Sequence, residues 1–221
     1  MSRCLAAYLG GVACVTTATD VNGLFAVDEW AARSHMSICS MKAAKDFAAA
    51  LVDKQKVGLY LDDAFTVEGA LPVNVERNLS LPIGMAITLD SELNPFPSTV
   101  RLLPRIVHLG IGCRRNTPLE SIEALVLSAL NKLRLDLRSI AGIASVDLKK
   151  DEQGLLAFAA KYKLPANFYT AEELNEVEGD FTPSAFVQSV VGVSNVCERS
   201  AVKDSNGGRL LLQKNSLNGV T

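Results

Sequence analysis

The sequence lacks long apolar runs and a strong net charge. No stretch reaches the length of about 18 apolar residues that a transmembrane helix needs. Residues 1–11 also lack the basic segment and long apolar core of a secretory signal. The net charge is −2 at pH 7, so composition gives no reason to expect nucleic acid or a membrane as partner. We therefore expect a cytoplasmic protein.

Cysteine pairs are also missing. The five cysteines are odd in number and widely spaced, and no Cys-x-x-Cys pair occurs. This pattern supports neither a disulfide framework nor a zinc site, and it favours a reduced environment. The cysteines are Cys4, Cys14, Cys39, Cys113 and Cys197.

What the sequence does contain is enough apolar material for a core: 48% of its 221 residues are hydrophobic and 21% charged, as in ordinary globular proteins. Residues 1–90 alternate between strand and helix patterns, with strands predicted over 12–17 and 57–61 and helices over 28–32 and 41–51. Residues 91–104 contain three prolines. This stretch is either a linker between domains or a long surface loop within one.

Residues 105–221 form the second predicted region. Strands are predicted over 105–111, 140–146, 167–169 and 209–213, and helices from 119 to 137, then over 154–163, 183–191 and 196–203. Capping boxes are predicted at Thr117–Glu120 and Thr170–Glu173. The fold class is therefore α/β, with a truncated first domain over 1–90, a linker over 91–104 and a compact αβα domain over 105–221.

Both ends of the chain suggest missing elements. The helix predicted over 3–9 has barely two turns, and the hairpin turn predicted over 215–219 is followed by two residues only. A strand needs about five residues to pair usefully. Two interpretations are open: the chain is a fragment or shortened variant, or its native termini fray.

The segment Gly110-Ile-Gly-Cys-Arg-Arg joins a strand to a helix start. Free amides at a helix N-terminus bind anions, and glycines allow close approach of a ligand. The guanidinium groups of Arg114 and Arg115 suit carboxylate or phosphate. The spacing matches neither the dinucleotide-binding fingerprint nor the P-loop. The alternative to an anion site is a tight turn with two solvated arginines.

A second polar cluster follows the strand predicted to end at residue 146. If the strands are parallel, this cluster lies at the same carboxyl edge as the arginines, where ligands bind in open α/β sheets. Lys149 and Lys150 would add positive charge there, and Asp147 and Glu152 could position them or transfer protons. The alternative is a solvated loop that leads into a helix.

Weaker candidates are spread along the chain. Glu198 and Lys214 either belong to the same site or are plain surface residues. Asp20 and Asn22 either form a turn or line a pocket after a strand end. His108 lies in an apolar strand, which favours a satisfied core histidine over a catalytic base. No Ser/His/Asp arrangement suggests a triad.

Four stretches carry a resemblance to the CbiG family of cobalamin biosynthesis: GIGCRRNTP, IASVDLKKDEQGLLAFA, TPSAFV with VGVSNVCE, and RLLLQKNSLNGVT. Residues 105–221 resemble the family's C-terminal domain, which is also found alone in CobE-type proteins. VTTATDVNGLFAVDEWA resembles the end of its N-terminal domain. The family's Ser-Gly-His-x-Gly-Gly-Ala-Asn stretch and closing strand are absent, in agreement with the cut ends.

The resemblance implies hydrolysis of cobalt-precorrin-5A to cobalt-precorrin-5B. The substrate is a cobalt-containing tetrapyrrole rich in carboxylates, whose ring-A lactone is opened by water with release of acetaldehyde. Cobalt arrives with the substrate, so no cofactor and no protein metal site are expected. Backbone N–H groups at 112 to 114, with the Arg114 side chain, would stabilise the oxyanion. Glu152 is the first candidate for the base, followed by Glu198 or Asp147.

The resemblance also implies a set of substrate-binding residues, each expected at the carboxyl edge of a sheet or after the end of a strand. They are Gly110, Gly112, Cys113, Arg114, Arg115, Lys149, Lys150, Lys214, Asp20 and Asn22.

Other functions stay open at this point. The chain could be a non-catalytic tetrapyrrole-binding or carrier module, an inactive remnant, or an anion-binding α/β domain unrelated to cobalamin. Because missing strands would leave sheet edges exposed, we expect low solubility or self-association. The partners we expect besides the substrate are a second copy of the chain, in a homodimer, or other corrin-pathway enzymes.

Overall fold

In the computed structural model, residues 25–67 and 71–221 are described. The predicted helix over 3–9, the predicted strand over 12–17, Asp20 and Asn22 therefore lie outside the described residues. The chain divides into two units. One contains the residues up to Thr88 together with Leu93–Leu102, and the other contains Leu89–Glu92 and Leu103–Thr221. None of the helices in the described residues is long and apolar enough to cross a membrane.

The first unit is built on a five-stranded sheet in the order β1-β5-β4-β2-β3. β2 is parallel to β3 and β4, and β4 is parallel to β5. Its helices and strands are α1 (Val27–Arg33), β1 (Met36–Ile38), α2 (Met41–Val52), β2 (Val57–Leu61), β3 (Val75–Glu76), β4 (Ile83–Ile87) and β5 (Ser98–Pro104). The predicted helices at 28–32 and 41–51 and the strand at 57–61 are confirmed.

The α2 helix shows why these residues fold as they do. Its N-cap is Ser40, whose hydroxyl oxygen accepts a hydrogen bond from the Ala43 N–H at 3.2 Å. Its apolar side chains recur on one face, so Phe47 and its neighbours are buried with Met85 and Leu102 of the sheet.

The linker predicted over 91–104, like the alternative of a surface loop, is wrong for the second half of this stretch. Residues 98–104 form β5, which lies between β1 and β4 in the sheet. The Phe96 ring covers Gly58 and Gly84, where added Cβ atoms would lie 2.1 and 2.5 Å from it. The prolines misled because Pro95 and Pro97 precede the strand and Pro104 ends it, where a missing N–H costs little.

The second unit is the αβα domain that the sequence predicts. Its parallel sheet has the order β6-β7-β8, and the elements are β6 (Val107–Gly110), α3 (Leu119–Leu133), β7 (Ile140–Val146), α4 (Gln153–Tyr162), β8 (Ala166–Tyr169), α5 (Ala171–Asn175), α6 (Ala185–Val191) and α7 (Cys197–Asp204). Single 3-10 turns cover Leu137–Ser139 and Asp147–Lys149. Buried residues of α3 and α4 pack with Ile143, while α7 packs on β6 and β7.

Local details of this unit differ from the predictions. The capping box at Thr170 is confirmed, but that at Thr117 is wrong. Pro118 is the N-cap of α3, and the Thr117 hydroxyl donates instead to the Arg114 carbonyl at 2.8 Å. The helix also ends at Leu133 rather than 137, because Arg134 takes a left-handed conformation with φ of 55°.

The strand predicted over 209–213 is wrong. No strand of the described residues pairs with this run, and Leu211 is exposed. The predicted turn at the end of the chain is confirmed, with Asn218 and Gly219 both at positive φ, as a type I′ turn requires. This turn joins Leu217 to Val220, and the buried Val220 pairs antiparallel with Cys113.

Candidate functional site

The carboxyl ends of β6 and β7 bring the two predicted polar clusters together. The strands are parallel neighbours, so the loops that follow them leave the sheet at the same edge. The Arg115 guanidinium donates to both carboxylate oxygens of Asp151, at 2.9 and 3.0 Å, and ties the two loops to each other. This ion pair lowers the pKa of Asp151.

Glu152 lies beneath this ion pair and is almost fully buried. One carboxylate oxygen accepts from the Asn116 backbone N–H at 3.0 Å. The other lies 3.3 Å from the Lys149 ammonium and 3.4 Å from Arg115. Asn116 has a left-handed conformation with φ of 59°, and the Glu152 contact holds that turn in place. The Glu152 carboxylate therefore fixes the loop that contains Arg115 and Asn116, which we call the arginine loop. We call a buried carboxylate with this role an anchor.

Gly110 and Gly112 serve chain packing. A Cβ at Gly110 would lie 1.7 Å from the Cys197 carbonyl oxygen, so only glycine allows α7 to lie so close to β6. A Cβ at Gly112 would lie 2.6 Å from the Thr221 hydroxyl oxygen. Parts of this chain therefore fill the space on the Cβ side of both glycines, and their role in binding a ligand stays a prediction.

Two of the three backbone amides predicted to bind an oxyanion, those of residues 112 to 114, donate to other parts of the chain. Gly112 N–H donates to the Thr221 carbonyl at 2.8 Å, and Arg114 N–H donates to the Gly219 carbonyl at 3.0 Å. The hypothesis that these two amides face a substrate is therefore wrong. The Cys113 N–H and the Arg114 side chain stay predicted donors. The Arg114 side chain is exposed and forms no ion pair within the part of the chain that the structure describes.

Cys113 lies between the arginine loop and the end of the chain. Its thiol is free and half-buried. Burial raises the pKa of this thiol above its ordinary value, and the nearby Lys149 charge opposes the shift without cancelling it. Cys113 is accordingly a neutral thiol at pH 7.

Three charged side chains at this edge are without partners, as far as the described residues extend. Asp147 is half-exposed, and Arg114 and Lys150 are exposed. Asp147 directly follows the end of β7, in the 3-10 turn Asp147–Lys149. These groups differ from Glu152, Lys149 and Arg115, whose charges pair with one another.

Glu198 is a second buried anchor, in the first turn of α7. Its carboxylate accepts from the Thr182 N–H at 2.7 Å, from the Thr182 hydroxyl at 2.8 Å and from the Lys214 N–H. The Asn195 side chain adds a contact to the Thr182 carbonyl at 2.8 Å. Glu198 thus joins the segments around Thr182 and Lys214 to α7. The interpretation of Glu198 as a plain surface residue is therefore wrong.

Lys214 contacts Glu198 through its backbone N–H, while its side chain is half-exposed.

Cys197, which precedes Glu198 in α7, has a buried thiol. Burial raises the pKa of the Cys197 thiol, although a hydrogen bond with Thr221 acts in the opposite direction.

His108 is confirmed as a satisfied histidine, and its partners form a network that sequence reasoning missed. Its Nδ1 lies 2.6 Å from an oxygen of the buried Asp204 carboxylate, and the other oxygen accepts from Asn167 and Tyr169, each at 2.7 Å. Burial and the Asp204 carboxylate raise the pKa of Tyr169 to about 12. The alternation of His108 in β6 and of Asn167 and Tyr169 in β8 was the available signal.

No group of three or more His, Cys, Asp or Glu side chains suited to a metal ion occurs in the described residues. Together, the parallel α/β sheet and its positively charged carboxyl edge define an α/β protein with a candidate anion-binding site.

The family model "Cobalamin synthesis G C-terminus" matches residues 107–221, and the chain belongs to this family. The chain is 36% identical to the cobalt-precorrin-5A hydrolase of Salmonella typhimurium, with all of this chain and 66% of that protein covered. It is 26% identical to the cobalt-precorrin-5A hydrolase of Priestia megaterium, covering all of this chain and 63% of that protein. The chain thus spans just under two thirds of the length of these two curated relatives. The resemblance stated from the sequence is confirmed.

CobE proteins match part of this chain. The chain is 35% identical over 95 residues to protein CobE of Sinorhizobium sp, covering 42% of this chain and 62% of that protein. The crystal structure of a CobE from the cobalamin (vitamin B12) biosynthetic pathway shares 32% identity. The structural match covers 53% of this chain and 87% of the CobE chain, with a TM-score of 0.49.

Proposed function

We propose that this chain hydrolyses cobalt-precorrin-5A in cobalamin biosynthesis. Water opens the ring-A lactone, and a two-carbon unit leaves as acetaldehyde. The similarity to two cobalt-precorrin-5A hydrolases over the whole chain supports the assignment. The cobalt belongs to the substrate, so the chain needs no cofactor of its own, and the reaction takes place in the cytoplasm.

The observation that carries the proposal is the unpaired positive charge at the carboxyl edge of the second sheet. Arg114 and Lys150 are exposed there, with no ionic partner in the part of the chain described. A substrate with many carboxylates supplies the missing partners. A guanidinium can bind a carboxylate with two parallel hydrogen bonds, whereas an ammonium acts as a point charge.

Among the three candidate bases, the geometry favours Asp147. Glu152 and Glu198 are buried, and each accepts hydrogen bonds on both carboxylate oxygens. Asp147 is half-exposed and has no side-chain partner among the described residues. In the proposed step Asp147 takes a proton from water, and the water oxygen adds to the lactone carbonyl. The lactone C–O bond then breaks, and Asp147 returns the proton to the leaving alkoxide. Acetaldehyde forms when this alcohol loses its O–H proton and the C–C bond to the macrocycle breaks, with the electron pair and a proton going to the macrocycle carbon. The Arg114 guanidinium has five N–H donors, so it can bind a substrate carboxylate with some of them and stabilise the oxyanion with others.

In this scheme Glu152 is a positioning residue. It holds Lys149 and Arg115 in place and keeps the Asn116 turn closed, so the arginine loop does not rearrange when the substrate binds.

A second candidate function is a tetrapyrrole-binding or carrier module without catalysis. The observation that favours it is that both buried carboxylates already accept hydrogen bonds on both oxygens, and that Asp151 is paired with Arg115. Among the candidate bases, only Asp147 then has no partner in the described residues. The similarity of part of this chain to protein CobE is compatible with such a module. The homodimer, or the contact with other corrin-pathway enzymes, stays a prediction.

The deciding experiment is acetaldehyde release from cobalt-precorrin-5A by the purified 221-residue chain, with the Salmonella typhimurium enzyme as positive control. We expect release that requires the chain and rises with its concentration. Tight substrate binding without acetaldehyde would contradict the hydrolase proposal and support the binding module. If the chain neither binds the substrate nor releases acetaldehyde, the hydrolase and the binding module are both contradicted.

A further inference from the structure

Two leucines are exposed at the same sheet edge as the unpaired cations. Leu148 is 50% exposed and lies in the 3-10 turn after β7, two residues before Lys150. Leu217 is 44% exposed and begins the type I′ turn at the end of the chain. Single exposed leucines are common on protein surfaces, so their exposure alone points to nothing.

Both leucines are near a cation: Leu217 begins the turn over which Arg114 lies, and Leu148 is two residues from Lys150 in the chain. The Arg114 side chain lies over the turn that Leu217 begins, and its Cδ is 2.9 Å from the position a Cβ would take at Gly219. Lys150 lies two residues after Leu148, immediately after the 3-10 turn. The edge therefore carries two pairs, each with one apolar side chain and one cation that has no ionic partner within the described ranges.

Both pairs are held by the fold. Leu217 and Val220 exchange backbone hydrogen bonds of 3.0 and 2.9 Å, and Val220 pairs with Cys113 at the end of β6. Leu148 is two residues beyond Val146, which pairs with Tyr169 in the sheet. The Arg115–Asp151 ion pair joins the two loops across the gap between the strands. A rigid ligand therefore meets a preformed surface.

We infer that Leu148 and Leu217 form an apolar platform for the flat face of a tetrapyrrole, while Arg114 and Lys150 bind carboxylates at its rim. This inference rests on the proposed function and specifies how its substrate binds. Charge complementarity selects the occupant: the ligand must combine an apolar interior with an anionic rim. A small polyanion would use the cations and leave both leucines in water.

The test uses uroporphyrin III, a cobalt-free macrocycle with a carboxylate rim, titrated against the full chain by porphyrin absorbance and fluorescence. Leu148→Ser and Leu217→Ser should each weaken binding about fivefold, because each removes roughly half a leucine side chain of contact. Leu148→Met and Leu217→Met keep the apolar area and should bind like the parent. Leu127→Ser is the matched control, since Leu127 is 43% exposed in the middle of α3.

Equal affinity of the two leucine-to-serine variants and the parent chain would overturn the platform. An equal loss of uroporphyrin III affinity in Leu127→Ser would also overturn it, because the loss would then not depend on the position of the leucine at this sheet edge. A parent chain that does not bind uroporphyrin III would also overturn it. Acetaldehyde release is measured separately on cobalt-precorrin-5A, so a failure of the platform and a failure of the hydrolase proposal give different results.

Discussion

The second unit contains two kinds of charged site that sequence alone does not distinguish. Glu152 and Glu198 are buried, and several donors converge on each carboxylate. Arg114, Asp147 and Lys150 lie within the same loops as Glu152, yet their charges are exposed and unpaired as far as the structure describes the chain. The comparison shows that a dense charge cluster divides into groups that hold the loops and groups that are free to bind.

If this division is correct, loss of a buried anchor should cost stability, and loss of an exposed charge should cost only binding or catalysis. The predictions below test it from the largest expected effect to the smallest.

Glu198→Ala should destabilise the second unit by about 3 kcal/mol or more, because it leaves the Thr182 and Lys214 donors without an acceptor. Urea unfolding followed by circular dichroism measures the change. Glu178→Ala removes an exposed glutamate from the same part of the chain and should change the free energy of unfolding by less than about 0.5 kcal/mol. Equal effects of the two substitutions would contradict the role of Glu198 as an anchor.

Gly110→Ala should destabilise the chain more than Gly112→Ala. The first adds a Cβ 1.7 Å from backbone of α7, which can only move with the helix, at a cost of about 1–3 kcal/mol or more. The second meets the end of the Thr221 side chain, which can rotate away. Thermal melting of both variants measures the difference, and the reverse order would show that close packing of α7 on β6 is not what requires glycine.

Tyr169 should make stability fall at alkaline pH. Its folded-state pKa of about 12 lies above its ordinary value of 10.0, so the folded state favours the neutral phenol. This contribution is fully present below about pH 10 and is lost as the pH rises towards 12. The parent chain and Tyr169→Phe should therefore differ in the slope of unfolding free energy against pH in this window. Parallel curves would contradict the Tyr169–Asp204 interaction.

Lys150→Ala should weaken binding of a polycarboxylate tetrapyrrole about three- to tenfold and leave stability unchanged, because the ammonium is exposed and unpaired within the described residues. Lys132→Ala removes an exposed lysine at the end of α3 and is the matched control. The difference should shrink as salt is added, since the contact is electrostatic. A Lys150 variant that binds normally but melts early would place Lys150 with the anchors.

Much of the fold was predictable, because periodicity and turn residues are local signals. The helix at Met41–Val52 and the strand at Ile140–Val146 carry their patterns in sequence, and both were found. The strand Ser98–Pro104 is absent from the prediction because prolines indicate a break in regular structure, although they are compatible with strand ends.

The meeting of the two polar clusters was also predictable, because parallel neighbouring strands place their carboxyl ends together. The division into anchors and free charges was not. Glu198 is defined by contacts to Thr182 and Lys214, each 16 residues away, and Gly112 by contacts to Thr221, 109 residues away. Such partners depend on how loops return to the sheet, which no local pattern records.

The most direct test of the central claim is acetaldehyde release from cobalt-precorrin-5A by the parent chain, Asp147→Asn and Glu152→Gln, with the melting temperature of each. The account predicts that Asp147→Asn loses about 100-fold or more of the rate with unchanged melting, because it removes the general base alone. Glu152→Gln should lower the melting temperature and keep part of the rate. An Asp147→Asn chain as active as the parent, beside an inactive but stable Glu152→Gln, would contradict the account.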